Sequence, residues 1–288
     1  MYDIQTKMRN KKIDNTVKTH GVREKIKSKN LIELCLEEIK IKGYTKIKSR
    51  LSKKDIISIR NQIDRIYKIQ EQELGGQKVL KSLFDENIVR GAAGYNDIFI
   101  KVATLSPIKK ICKKILGPVY TLISQNGIIS KPNNFHYQYT WHRDINYQHF
   151  VSSKPIAISM LLCVDKFDEK TGGTYILSGT HKQEEFPSDA YVKKNQEVIN
   201  ADIGDLIIFD SMMYHRTGKN YSNSKRRCIN QYYSTPIIKQ LINFPKMLGE
   251  RKDIKNKDTR MILGYGFENE PSESATAWRQ ARINRKKN

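Results

Sequence analysis

The chain has 288 residues, 38% of them hydrophobic, with 9 Phe, 15 Tyr and 2 Trp. That is enough apolar material for a substantial core and excludes a chain disordered throughout. Lys and Arg total 52 against 30 Asp and Glu, a formal charge of +22, but the excess is mostly dispersed Lys accompanied by Ile and Asn, the trio that a genome of low GC content imposes. We therefore read it as a solvated surface in preference to a nucleic-acid face, since no basic run is interleaved with aromatics as a single-strand platform requires.

The four cysteines, Cys35, Cys112, Cys163 and Cys228, are widely spaced without a CxxC pair, which argues against a zinc knuckle or a disulfide framework. Residues 1–30 carry KMRNKK and REKIKSK and lack the apolar run of a signal peptide; no stretch has the length of a membrane span. The expectation is a cytoplasmic protein whose first 30 residues form a poorly ordered basic arm. Leu31, Leu34, Cys35 and Ile39 predict a short helix closed by Gly43, and Tyr44 to Ile47 a strand. Ser52 caps a helix over Asp55 to about Glu73, where Ile56, Ile59, Ile63 and Ile66 mark one buried face before Gly75-Gly76. Ser106 as N-cap, Pro107 in the first turn and Gly117-Pro118 as the stop punctuate a third helix, with Ile108, Ile111, Cys112 and Ile115 on one face.

After Pro118 the texture becomes β. Tyr120–Ser130, Phe135–Thr140, Ile156–Val164, Thr174–Leu177, Glu197–Asn200, Leu206–Asp210 and Cys228–Ser234 are short runs of apolar, aromatic and β-branched residues separated by turn formers. They predict a mainly β sandwich or barrel with helices packed outside. No linker divides the chain, so we expect one domain over 31–242 and a C-terminal extension, 243–288, packing on or near it. In that extension Phe244-Pro245 starts a turn and Ser272 to Arg285 forms an amphipathic or frayed basic helix.

The chemistry concentrates at Trp141-His142-Arg143-Asp144. In an extended segment His142 and Asp144 share a face and can hold one metal ion together. A third ligand is available at His215, delivered at the far end of the strand Leu206–Asp210. Two imidazoles and one carboxylate on one side of Fe(II) leave positions for a bidentate 2-oxo acid and O2. Arg226 lies on a strand able to run beside the histidine, and a guanidinium suits the distal carboxylate of 2-oxoglutarate through two parallel bonds where Lys does not. Thr217 can add a hydroxyl to the same carboxylate. His20 and His149 read as ordinary surface residues.

The segments TWHRD, GGTYILSGTHK, DIGDLIIFDSMMYHRTGKN and KRRCINQYY together resemble the phytanoyl-CoA dioxygenase family of Fe(II)/2-oxoglutarate oxygenases, with the likeness running from about Leu31 to about Tyr233. The resemblance implies a double-stranded β-helix core, iron ligands His142, Asp144 and His215, and Arg226 with Thr217 on the distal carboxylate. It also places Gln125 near the other end of the cosubstrate. Ser178-Gly179-Thr180-His181 stands where the family has P-G-S-H, and His181 is then structural or near the pocket mouth. Retention of Asp144 favours hydroxylation over halogenation.

Substrate-facing candidates are Tyr137, Tyr139, Trp141, Arg143, Asn146 and Tyr147, although alternation turns Arg143 away from the metal, where it could pair with a surface carboxylate. The expected function is hydroxylation of an unactivated C–H bond of a small, anionic metabolite, with release of succinate and CO2. The alternatives are an oxygenase of the same fold acting on a nucleic acid or polysaccharide held by the basic surface, and a non-catalytic β-barrel binding protein; four intact site residues argue against the last.

Overall fold

In the computed structural model the described residues are 17–133, 137–145 and 150–267, with 274, 276 and 279. Most of the basic arm, residues 1–16, and most of the expected terminal helix lie outside them, as do Asn146, Tyr147 and His149. Helix α1 (Leu31–Lys42) starts at Asn30, whose side chain accepts from the Glu33 amide, and ends at Gly43 with φ 91°. The left-handed turn and the packing both demand glycine there, because a Cβ would sit 2.7 Å from His181 Nδ1. Strand β1 (Tyr44–Lys48) follows. Helix α2 (Lys53–Glu73) carries a reciprocal capping box between Ser52 and Asp55 and buries Ile56, Ile59, Ile63 and Ile66. Each of these isoleucines contributes on the order of 2–3 kcal/mol by leaving water.

Then come α3 (Gln77–Ser82), β2 (Ile88–Arg90), α4 (Asp97–Ala103) and α5 (Ser106–Leu116). The cap of α5 is Leu105, so Ser106 is its first residue and not its cap. The β region supplies β3 (Thr121–Ser130), β4 (Ala157–Cys163), β5 (Thr174–Ile176), helix α6 (Asp189–Asn195), β6 (Glu197–Val198), β7 (Asp205–Asp210), β8 (His215–Thr217) and β9 (Arg226–Ser234). Within the expected strand Phe135–Thr140, residues Tyr137–Tyr139 instead form a 3-10 turn. Phe244-Pro245 opens a short helix, α7 (Phe244–Leu248), followed by α8 (Lys257–Leu263).

Two antiparallel sheets result, a six-stranded one in the order β1-β7-β4-β9-β3-β2 and a three-stranded one in the order β6-β5-β8. Strand alternation gives the large sheet two different faces. Ile158, Met160, Leu162, Leu206, Ile208, Ile229 and Tyr233 join the helices' isoleucines in one cluster, together with Phe244, Ile262 and Leu263 from the C-terminal segment. Leu161, Cys163, Ile207, Phe209, Cys228 and Ile128 point the other way and pack with Ile176 of the small sheet. This is the mainly β, jelly-roll architecture with flanking helices, and the candidate site lies between its sheets. All four cysteines are buried free thiols.

Candidate metal centre

His215 opens β8 and pairs across a two-way backbone bridge with His142: His142 N donates to His215 O and His215 N to His142 O, each at 3.0 Å. The Asp144 amide donates to Ser211 O at 3.1 Å. These bonds bring the side chains together, with the imidazole centroids 4.4 Å apart, and His215 Nε2 3.7 Å from Asp144 Oδ1. One ligand atom from each of His142, Asp144 and His215 lies within 4.8 Å of the others.

The surrounding groups select the nitrogens that face inward. Nδ1 of His142 is 2.9 Å from Thr140 O and Nδ1 of His215 is 3.0 Å from Met213 O. A carbonyl only accepts, so each Nδ1 carries the proton and each Nε2 keeps its lone pair for a metal. Burial, reinforced by the neighbouring His142, lowers His215 to about 4, so it is neutral at physiological pH. Ser159 Oγ donates to Asp144 Oδ2 and shares a 2.7 Å bond with Ser211 Oγ, which fixes the carboxylate from behind.

Arg226 is 2% exposed on the inner face of β9. Its guanidinium lies over the Phe167 ring at 4.3 Å and reaches Cys228 Sγ at 3.7 Å; its Nε and one terminal nitrogen have no partner, and no carboxylate pairs with it among the described residues. Ser130 is its register partner on β3, also 2% exposed, with an Oγ that has no partner, as has Asn230 Oδ1 two positions along that face from Cys228. A buried cation beside an unpartnered hydroxyl suits a small carboxylate, and the residues therefore fit 2-oxoglutarate. Sequence reasoning missed Ser130 and Asn230. Alternation counted outward from Arg226 would have found them.

Thr217 shares the His215 side of β8, opposite Thr174. Gln125 is displaced from its expected place. It pairs with Gln231 on the helix-facing side of the sheet, its amide donating to Gln231 Oε1 at 2.7 Å and to Phe99 O at 2.9 Å, so it braces α4, and the inward residue is its neighbour Asn126. Arg143 and Trp141 also need correction as substrate-facing candidates. The bridge at His142 turns both flanking side chains to the opposite face. Arg143, 4% exposed, donates to the carbonyls of Thr180, Gln183 and Glu184 and stacks 4.0 Å over Tyr214. Trp141 lies against Phe186 and under the Arg216 guanidinium. The backbone of Tyr137 is in the 3-10 turn, while its side chain and Asn146 lie outside the described residues. His181 is buried, with Nε2 3.4 Å from Lys40 O, a structural placement.

The family model for phytanoyl-CoA dioxygenase (PhyH) matches residues 39–228. An uncharacterised protein of Mycobacterium tuberculosis is 24% identical over 84% of this chain and 89% of its own length. The peroxisomal phytanoyl-CoA dioxygenase of Bos taurus is 24% identical over 70% of this chain and 68% of its own. Among solved structures, EctD from S. alaskensis, determined with 2-oxoglutarate and 5-hydroxyectoine, superposes with a TM-score of 0.59 at 13% identity, covering 70% of this chain and 75% of EctD; that likeness shows a common fold. With a match spanning most of the chain, beside a His-Asp-His cluster that could hold a metal ion, this protein belongs to the phytanoyl-CoA dioxygenase family of Fe(II)/2-oxoglutarate-dependent dioxygenases.

Proposed function

We propose that the chain hydroxylates an unactivated C–H bond of a small, anionic metabolite, with its catalytic domain spanning 31–242 and its extension, 243–288, packing on or near that domain. The observation that carries the reading is the buried, acid-free Arg226 within the same inter-sheet space as the His142, Asp144 and His215 cluster. His142 Nε2, His215 Nε2 and one Asp144 oxygen would hold Fe(II), and Arg226 with Ser130 and Thr217 would hold the distal carboxylate of 2-oxoglutarate. Bound in this way, iron and 2-oxoglutarate supply with O2 the oxidising equivalents for C–H hydroxylation, 2-oxoglutarate leaving as succinate and CO2.

The remaining work belongs to the protein. Thr140 O and Met213 O hold the two imidazoles in one tautomer, and Ser159 with Ser211 keeps the Asp144 carboxylate from rotating. Phe209, 4.7 Å from the His215 ring, keeps that flank of the cluster dry. Arg143 clamps the segment between the two first ligands to the 180–184 turn. No helix among the described residues is long and apolar enough to cross a membrane; the buried free thiols favour a reducing cytoplasm.

The test is anaerobic reconstitution with Fe(II) and 2-oxoglutarate. A weak visible metal-to-ligand absorption band should form in the wild type and vanish in His142→Ala, and succinate release across a metabolite panel would then identify the substrate. Absence of the band from fully metallated wild-type protein sinks the oxygenase reading.

A further inference from the structure

A cavity of about 390 Å³ lies between α1, the C-terminal end of α5, the segment before β4 and the turn at His181. Four lysines line it, Lys40, Lys114, Lys154 and Lys182, and no carboxylate does. Some lysines elsewhere are held by acids, as Lys42 is by Glu38, Lys48 by Asp205 and Lys101 by Asp55. These four have no ion pair among the described residues. The negative ends of α1 and α5 account for Lys40 and Lys114; they do not account for Lys154 and Lys182, which come from loops. Lys182 Nζ reaches the carbonyls of Ser152 and Ser153 at 3.3 and 3.5 Å, across to the opposite wall.

The rest of the lining is apolar, from Leu36, Ile39, Ile115 and Pro155. His181 completes the wall, 2% exposed and with no partner at Nδ1. Both loop walls also brace the metal ligands. Arg143 is bonded to Thr180 and Gln183, on either side of His181 and Lys182. Ala157, two residues past Pro155, accepts from the Ser211 amide, and Ser211 O receives that of Asp144.

We propose that this cavity is a binding site for an organic phosphate with an apolar stem, separate from the 2-oxoglutarate clamp. The charge argues for phosphate over carboxylate, because a phosphate monoester carries roughly −1.5 to −2 at neutral pH. The residue type agrees. The cation proposed for the 2-oxoglutarate carboxylate, Arg226, is a forked guanidinium, whereas this cavity uses lysines, compact point charges that surround a phosphate from several directions. The lining contains no Phe, Tyr or Trp, so it offers no platform for stacked bases and sets nucleic acid aside.

Calorimetric titration of the full chain with hexyl phosphate, inorganic phosphate and hexanoate tests the site, beside the iron/2-oxoglutarate band of each protein. One hexyl phosphate should bind per chain, at least tenfold tighter than either control. The doubly substituted K154Q/K182Q chain should lose tenfold or more of that affinity, while K193Q/K194Q on α6 keeps it and both retain the visible band. Hexyl phosphate binding no tighter than inorganic phosphate, or an equal loss in the two double variants, overturns the proposal. Loss of the band from the wild type with phosphate binding intact would instead remove the oxygenase reading and leave this site standing.

Discussion

Arg226 and Arg227 are neighbours on β9 and lead opposite lives. Arg227 faces the helices and is held by two acids, Asp64 at 2.8 Å and Asp165 at 3.0 Å; Arg226 points between the sheets with no acid. A buried charge without a countercharge opposes folding, so a protein keeps one only where something outside the chain completes it. Asp210 has another route. Burial raises its carboxyl from 3.8 to about 6, so it takes a proton and loses its charge as pH falls below about 6, which a guanidinium cannot do. The comparison separates a structural arginine from the one proposed to bind a ligand.

The largest effect should come from Arg226→Met. Two charge-assisted bonds would be lost, worth about 3 kcal/mol together, or roughly a hundredfold in 2-oxoglutarate affinity. Titration of the visible band reads that loss, and urea unfolding of the metal-free protein should show no loss of stability. If the variant unfolds more easily, Arg226 is structural and the distinction collapses. Arg227→Met should do the reverse, costing about 2 kcal/mol of stability by stranding Asp64, while Asp165 keeps Arg60 at 2.8 Å, and leaving the 2-oxoglutarate titration unchanged.

Asp210 supplies a pH test of similar size. Its folded value lies above its unfolded one, so its protonated form favours the native state below about pH 4 and that contribution disappears as pH rises through about 6. Between pH 4 and 7 the wild type should lose about 2–3 kcal/mol relative to Asp210→Asn; parallel stability curves for the two proteins would contradict the assignment. The smallest effect is that of Ser130→Ala, about 1 kcal/mol or fivefold in 2-oxoglutarate affinity, with no change in iron affinity. An unchanged titration would remove Ser130 from the clamp.

Much of this was legible in the sequence, for particular reasons. The isoleucines of α2 recur at spacings set by the helix turn and all four are buried. The spacing of His142 and Asp144, with His215 beyond a buried strand, located the cluster before any coordinates did. Faces were harder. Gln125 and Asn126 are adjacent, and alternation decides which enters the barrel only once one residue of the strand is anchored; the register shift between Leu122 and Ser124 further spoils counting from the N-terminal end. Tyr137–Tyr139 is rich in β-formers yet curls into a turn, because strand propensity depends on a neighbouring strand. Helices α4, α6, α7 and α8 are too short to display a period.

The paired backbone bonds between His142 and His215 have a thermodynamic consequence. They join two ligands from distant parts of the chain through amides and carbonyls, groups that no metal ion touches. The entropy of gathering those imidazoles is therefore lost during folding and not again on metal binding. On the proposed ligand set, iron would then leave and return as a local exchange at a rigid seat, with the protein remaining folded while the centre is stripped by a chelator and refilled.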